Sequence, residues 1–369
     1  MLLSIKDNNS SNSSKLERGM NEVRDPLISV LVPVYNAENY LKELMEQVRQ
    51  QTLANWEMII VNDGSTDKSG EICEQLASRD TRIRVIHQSN QGISATRNKL
   101  LQKARGAYLA FIDADDRFDK HFLEKLVYQI QTTDADLVVS GYNEIKEVNG
   151  EIVQQVEKLF YLSDYLDVID MSECIMSFIN SGLFNPLWNK LYKRKIVDEY
   201  QITFPEQLIT GEDFIFNLEY FKHIQKVSFI NETLYDYIRR QNNSITYRYV
   251  EKMYEKGLEI HEQLEQFLKQ MNYDTKQNEL ILMENHLGGV FSAWLNLYHE
   301  DSKLKYKDKR KEIKVILNRA YVQSCAKEVK TSNKLLKLTQ ILVQFKSIIL
   351  IMSCFNLISL LRKGKRRWR

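Results

Sequence analysis

Three carboxylates crowd the end of a short apolar run. In Tyr108 to Phe118, YLAFIDADDRF, the run through Ile112 gives way to Asp113, Asp115 and Asp116. Closely spaced hard oxygen donors suit Mg²⁺ or Mn²⁺ bridging to phosphates. An acidic turn capping the next helix is the other reading, because Asp is common at helix starts. Acids gather again in Asn62, Asp63, Gly64, Ser65, Thr66 and Asp67, and once more in Gly211, Glu212 and Asp213 ahead of FIFNLEYFKHI. There Thr210 as N-cap with Asp213 three residues on makes a variant of the capping box, with acids favoured by the helix dipole.

The first two clusters follow apolar runs that read as buried strands, so they fall at strand carboxyl ends. Strands are expected at Leu27 to Val34, Trp56 to Val61, Ile83 to His87, Tyr108 to Ile112 and Asp136 to Gly141. Helical spacing lies between them, in Leu41, Leu44, Met45 and Val48, in Ile72 and Leu76, in Ile93, Leu100 and Leu101, and from about Lys120 to Gln131. The alternation predicts an α/β fold with a mostly parallel sheet and right-handed crossovers, whose ligand edge is the carboxyl edge. No GxGxxG follows the first strand, and GSTDKSG at Gly64 to Gly70 lacks the closing Gly-Lys-Ser/Thr of a P-loop. Neither a dinucleotide fold nor a phosphate-cradling loop is supported.

After Gly141 the alternation stops. Asn149 and Gly150 between two alternating runs predict a hairpin. A helix is expected at Met171 to Asn180, and NPLWNKLYKRK, Asn185 to Lys195, combines Trp188, Tyr192 and several cations, with amphipathic packing against the sheet expected for Leu191 more than for Asn189 and Lys190. Val227 to Ile230 and Thr233 to Ile238 read as two short strands, and the pattern from Tyr249 to about Lys334 is helical.

Four pieces in register, ISVLVPVYNAENYL, IIVNDGSTDKS, NQGISATRN and AFIDADD, together with the later Gly-Glu-Asp and the Tyr-rich segment, resemble the family 2 glycosyltransferases of the GT-A fold. The resemblance spans Leu27 to about Thr246. It implies a metal-dependent, inverting transferase, of hexosyl or N-acetylhexosaminyl type, that moves a sugar from a UDP-sugar to an acceptor hydroxyl. Pro33, Tyr35 and Asn36 match the family's first nucleotide-cradling turn. Asp63 matches the acid at the base edge, where a carboxylate can accept from the uracil imide N–H. Arg97 matches a guanidinium that holds the nucleotide or its phosphates. Asp113 and Asp115 match the family's DxD, with Asp115 expected on the metal and Asp113 nearer the ribose or reaching the ion through water. Asn189 and Lys190 match a segment lining the site. The resemblance puts the catalytic base at Asp213, with Glu212 orienting it or binding the acceptor. Tyr237, Arg239, Arg240 and Ser244 match a segment that folds over the diphosphate. A nucleotidyltransferase, or a noncatalytic nucleotide-sugar-binding scaffold, are the alternatives.

The 369 residues suffice for two or more units. The expected division is a disordered lead at 1–26, a transferase domain at 27–246, a helical domain at 247–334 and a membrane-associating tail at 335–369. Net charge is +2, yet the last eight residues, RKGKRRWR, carry six positive charges, which leaves the body slightly acidic and without a nucleic-acid footprint. Four cysteines stand far apart without metal-ligand spacing, which suits a reducing cytosol. Leu335 to Leu361 is apolar but interrupted by Lys337 and Lys346, so an interfacial helix is expected over a spanning one, against anionic headgroups at the inner face of the cell membrane, with a helix buried against another subunit as the alternative. Together with the tail, the resemblance implies a glycan or lipid-linked acceptor in surface polysaccharide synthesis.

Overall fold

A computed structural model describes residues 25–161, 165–208, 210–240 and 249–367, with side chains through 361. Most of the expected lead, and Ser244, lie outside the described residues. The strands are β1 (Ile28–Val34), β2 (Trp56–Asp63), β3 (Ile83–Gln88), β4 (Tyr108–Phe111), β5 (Arg117–Phe118), β6 (Leu137–Val148), β7 (Glu151–Lys158), β8 (Tyr165–Asp167), β9 (Lys190–Lys193) and β10 (Lys226–Arg240). Helices α1 (Leu41–Arg49), α2 (Ser69–Ala77) and α3 (Ile93–Lys103) connect β1 to β4. These four strands pair in parallel in the order β3-β2-β1-β4. β2 is buried along its whole length, as a parallel strand covered on both faces should be.

The other half of the sheet continues β4-β9-β6-β10-β5. β9 runs antiparallel to both β4 and β6, which restores β6 and β10 to the direction of β1. The sheet is therefore mostly parallel in direction, with short reversed strands. The segment expected to pack against the sheet instead enters it: Tyr192 pairs with both Leu109 and Leu137 and is fully buried. The two short strands expected at 227–238 are parts of β10, a single strand with register shifts between Ile230 and Thr233 and between Thr233 and Tyr235. Those irregularities interrupt the apolar alternation, so one strand reads as two. The hairpin joins β6 to β7, with positive φ at Asn149 (53°) and Gly150 (83°), the sign an I′ turn requires.

At the sheet's amino-terminal edge, buried Glu57 accepts from Ser29 Oγ, the Arg105 main chain and guanidinium, and Arg84. That acid ties strands together and lies at the edge away from the strand carboxyl ends. The remaining helices are α4 (Phe122–Thr133), α5 (Ile175–Asn180), α6 (Arg194–Glu199), α7 (Glu212–Phe221), α8 (Met253–Gln270), α9 (Lys276–Asn296), α10 (Tyr306–Leu317), α11 (Ala320–Glu328), α12 (Lys334–Phe345) and α13 (Ile348–Arg367). A first hydrophobic core surrounds the sheet and takes in Leu264, Phe267 and Leu268 of α8. A second core joins α9 to α13 and includes Leu342, Val343, Ile351, Met352 and Phe355. The expected tail is thus half built into the helical unit. Among the described residues no helix is long and apolar enough to cross a membrane.

Candidate active site

The carboxyl ends of β1 and β2 are laced together by short polar side chains. Asn36, at φ 50°, donates its N–H to Ser65 Oγ (3.0 Å), and its Oδ1 accepts from Thr66 N (2.8 Å). Pro33 lies within β1 just before this turn, and Tyr35 projects from it, about half exposed. Asp63 is buried at the end of β2. Its carboxylate accepts from Gln91 N (2.8 Å), Gly92 N (2.9 Å) and Gln88 Nε2 (2.9 Å). Two carboxylate oxygens offer about four acceptor positions, so one remains for a ligand donor. Gly92 has φ 89° and ψ 169°, a region essentially reserved for glycine, and it presents its N–H to Asp63 while starting α3.

α3 carries Arg97 into the protein. Its Nη1 donates to Glu212 Oε1 (2.9 Å) and to Asp213 Oδ1 (2.5 Å), with the guanidinium over the Phe204 ring. Burial works against the charge, yet Asp213, Asp113 and Glu212 hold the guanidinium above its ordinary pKa. Burial raises the Asp213 carboxyl to about 7, with Arg97 opposing and Glu212 and Asp113 adding to the rise. Burial also raises Asp113 to about 6, again against Arg97, with Asp115 and Glu212 pushing the same way. The DxD acids and the Glu212–Asp213 pair therefore share one electrostatic neighbourhood, with Arg97 between them. Glu212 and Asp213 open α7, but the N-cap is Gly211 at φ 89° rather than Thr210, and it makes no side-chain cap bond. A Cβ at Gly211 would lie 2.4 Å from Ile260 Cδ1, and the positive φ there would strain any residue that bears one.

Asp115 is about half exposed at the cleft, and desolvation still raises its carboxyl, with Arg240 opposing. Arg240 Nη1 donates to Asp115 O (2.6 Å) and stands 3.6 Å from its Oδ2. Asp116 is buried: Oδ1 accepts from Ile238 N (2.9 Å), while Oδ2 has no hydrogen-bond partner. An orphaned buried carboxylate oxygen beside a half-open one fits a hard divalent cation. Among the described residues no three His, Cys, Asp or Glu side chains form a ready cage. Tyr235, which sequence reasoning missed, accepts from Asp113 N (3.2 Å) and stacks on Trp188 at 4.5 Å. Its signal was the alternation of Tyr235 with Tyr237 on one face of β10, both turned toward Trp188.

Two residues expected in the site are held by protein partners. Lys190 is fully buried and donates to Leu183 O (2.6 Å), Asn189 Oδ1 (2.8 Å) and Pro186 O. All three ammonium donors are taken, so the geometry has it holding the 183–190 loop. Desolvation drives its pKa well down, with Asp213 partly opposing. Arg239 pairs with Glu144 on β6 (2.5 Å).

An open sheet with acids and a buried arginine converging at its carboxyl edge is the GT-A arrangement. The model of the family described as Glycosyl transferase family 2 matches residues 29–201. EpsH of Bacillus subtilis, named a glycosyltransferase, is 35% identical over 249 residues, covering 67% of this chain and 70% of that protein. EpsJ of the same organism is 33% identical over 276 residues, 74% of each. The crystal structure of S. aureus TarS, residues 1–349, superimposes with a TM-score of 0.63 at 24% identity, covering 91% of this chain and 92% of that one. The chain belongs to glycosyltransferase family 2 and is a glycosyltransferase. The family match ends before Glu212 and Asp213; Arg97, which lies inside the match, pairs with both and is electrostatically coupled to Asp113.

Proposed function

We propose that the enzyme transfers a sugar from a UDP-sugar to a hydroxyl of a glycan or lipid-linked acceptor, with inversion, during surface polysaccharide synthesis at the cytosolic face of the membrane. The observation that carries the chemistry is Asp213, a partly buried carboxyl that desolvation raises to about 7 and that Arg97 orients. Direct displacement needs one group to take the acceptor proton as the hydroxyl attacks, and a base with a pKa near the working pH does this best. Glu212, on the same Arg97 nitrogen, shares the positioning.

TarS was crystallised with UDP-GlcNAc, which supports a UDP-sugar donor for a chain of the same fold. Asp63 retains acceptor capacity for the base, and Arg240 stands beside Asp115 where diphosphate oxygens would meet a cation. Asp115 and Asp116, with Asp113 close by, would hold Mg²⁺ or Mn²⁺. When bound, the ion offsets charge developing on the departing diphosphate.

Purified protein with Mn²⁺, screened against a panel of UDP-sugars for UDP release with and without lipid-linked acceptor, tests the assignment. Release that depends on one donor and on acceptor supports it; pyrophosphate as product sinks it. Asp115→Ala is expected to weaken UDP binding at least about tenfold when Mn²⁺ is present and little when it is absent. A calorimetric titration showing the same affinity with and without the substitution would remove Asp115 from the metal.

A further inference from the structure

The last two helices have two apolar faces, and only one is covered. Leu342, Val343, Ile351, Met352 and Phe355 face inward, with the Phe355 ring 5.2 Å from Phe291 and 5.7 Å from Trp294. Phe345 and Ile349 are 70% and 71% exposed, and Leu357, Leu360 and Leu361 are each more than half exposed. Long apolar side chains this dense on one short stretch mark an interaction surface. The same stretch is uniformly basic: from Val329 to Arg369 there is no Asp or Glu, and there are ten Lys and Arg residues.

We propose that this outer face of α12 and α13 docks on an anionic lipid bilayer, lying in the interface while the inner face stays in the helical core. Each alternative partner leaves one requirement unmet. A second copy meeting the same face would oppose two sets of uncompensated cations. A polyanion such as nucleic acid would take the charge and leave the leucines in water. Anionic headgroups over acyl chains satisfy both. Spanning is not an option for these helices, since none among the described residues is long and apolar enough. Because α12 and α13 share a core with α9, and α8 is packed into the sheet's own core, docking sets the catalytic cleft at a constant attitude to the bilayer. This deepens the membrane-face part of the proposed function. Binding needs no donor sugar, so docking can fail while transfer stands, and the reverse.

The test is flotation of the full chain with vesicles of phosphatidylcholine, alone or with phosphatidylglycerol, at low and high salt. Wild-type protein is expected to float with the phosphatidylglycerol vesicles, more weakly at high salt, and poorly with phosphatidylcholine alone. The exposed-face variant Phe345→Glu/Ile349→Glu/Leu357→Glu should float at least about tenfold less with an unchanged unfolding midpoint. A second variant, Arg362→Gln/Lys363→Gln/Lys365→Gln, removes charge while leaving every apolar residue of α12 and α13 in place and should weaken partitioning by about a hundredfold at low salt. Wild-type protein that stays unbound, or variants that float as well as wild type, overturns the proposal. So does a dimer in solution that the exposed-face substitutions dissociate, since that makes the face a contact between copies.

Discussion

Asp213→Asn is expected to lower the rate of sugar transfer by about 10²- to 10⁴-fold, the usual contribution of a positioned general base. The substitution keeps shape and keeps an oxygen for Arg97 Nη1, so the cleft should stay assembled and UDP affinity with metal should be nearly unchanged. Folding should not suffer. Burial already raises this carboxyl, so a neutral amide relieves a desolvation cost at neutral pH. Steady-state UDP release alongside calorimetric UDP binding separates the outcomes. Normal turnover removes Asp213 from the chemistry, and a larger loss in Glu212→Gln with Asp213→Asn active transfers the role to Glu212. The wild-type pH profile should agree. A base must be deprotonated before it can act, so kcat/KM should fall as pH drops below about 7, the value to which burial raises Asp213. Asp213→Asn should abolish that limb.

Arg97→Met carries the second large effect, and it reaches stability as well as rate. The guanidinium compensates Glu212, Asp213 and Asp113 in a buried setting. Deleting one member of a buried charge group costs about 3–5 kcal/mol, because the remaining charges stay buried without their partner. The loss should depend on pH in a definite sense. Without Arg97 the carboxyls rise further, so the folded form holds protons that the unfolded chain has released. Stability then falls as pH rises, and the deficit at pH 8 should exceed that at pH 5. Denaturant unfolding of both proteins at the two pH values reads this directly. A deficit below about 1 kcal/mol, or one that does not change with pH, would mean that Arg97 does not carry the acids.

Sequence reasoning was strong where the signal was local. Continuous apolar runs such as LISVLVPV and WEMIIV can be buried only as central strands, and acids that follow such a run must emerge at its carboxyl end. The alternation, the DxD turn and the Asn149-Gly150 hairpin were therefore legible. It was weaker where a residue's role depends on a distant partner. Arg97 meets Asp213 across 116 positions, and nothing within either segment shows that its charge points inward to carboxylates. Lys190 sits in a segment rich in cations, yet three acceptors at 183–189 consume its donors. Thr210 fitted a cap by spacing, while the chain turns through Gly211 in the left-handed region, which a residue bearing a Cβ rarely adopts.

What the sequence by itself determined was the class of fold, the edge at which the acids stand and the apolar, basic character of the last helices, since periodicity and composition act over a few turns of chain. Tertiary structure alone decided that β9 enters the sheet reversed, that Arg97 pairs with Glu212 and Asp213, and which face of α12 and α13 remains uncovered. The reason is physical. Burial and partner choice are settled by segments far apart in the chain competing for one core, and no window short enough to read as a pattern contains both competitors.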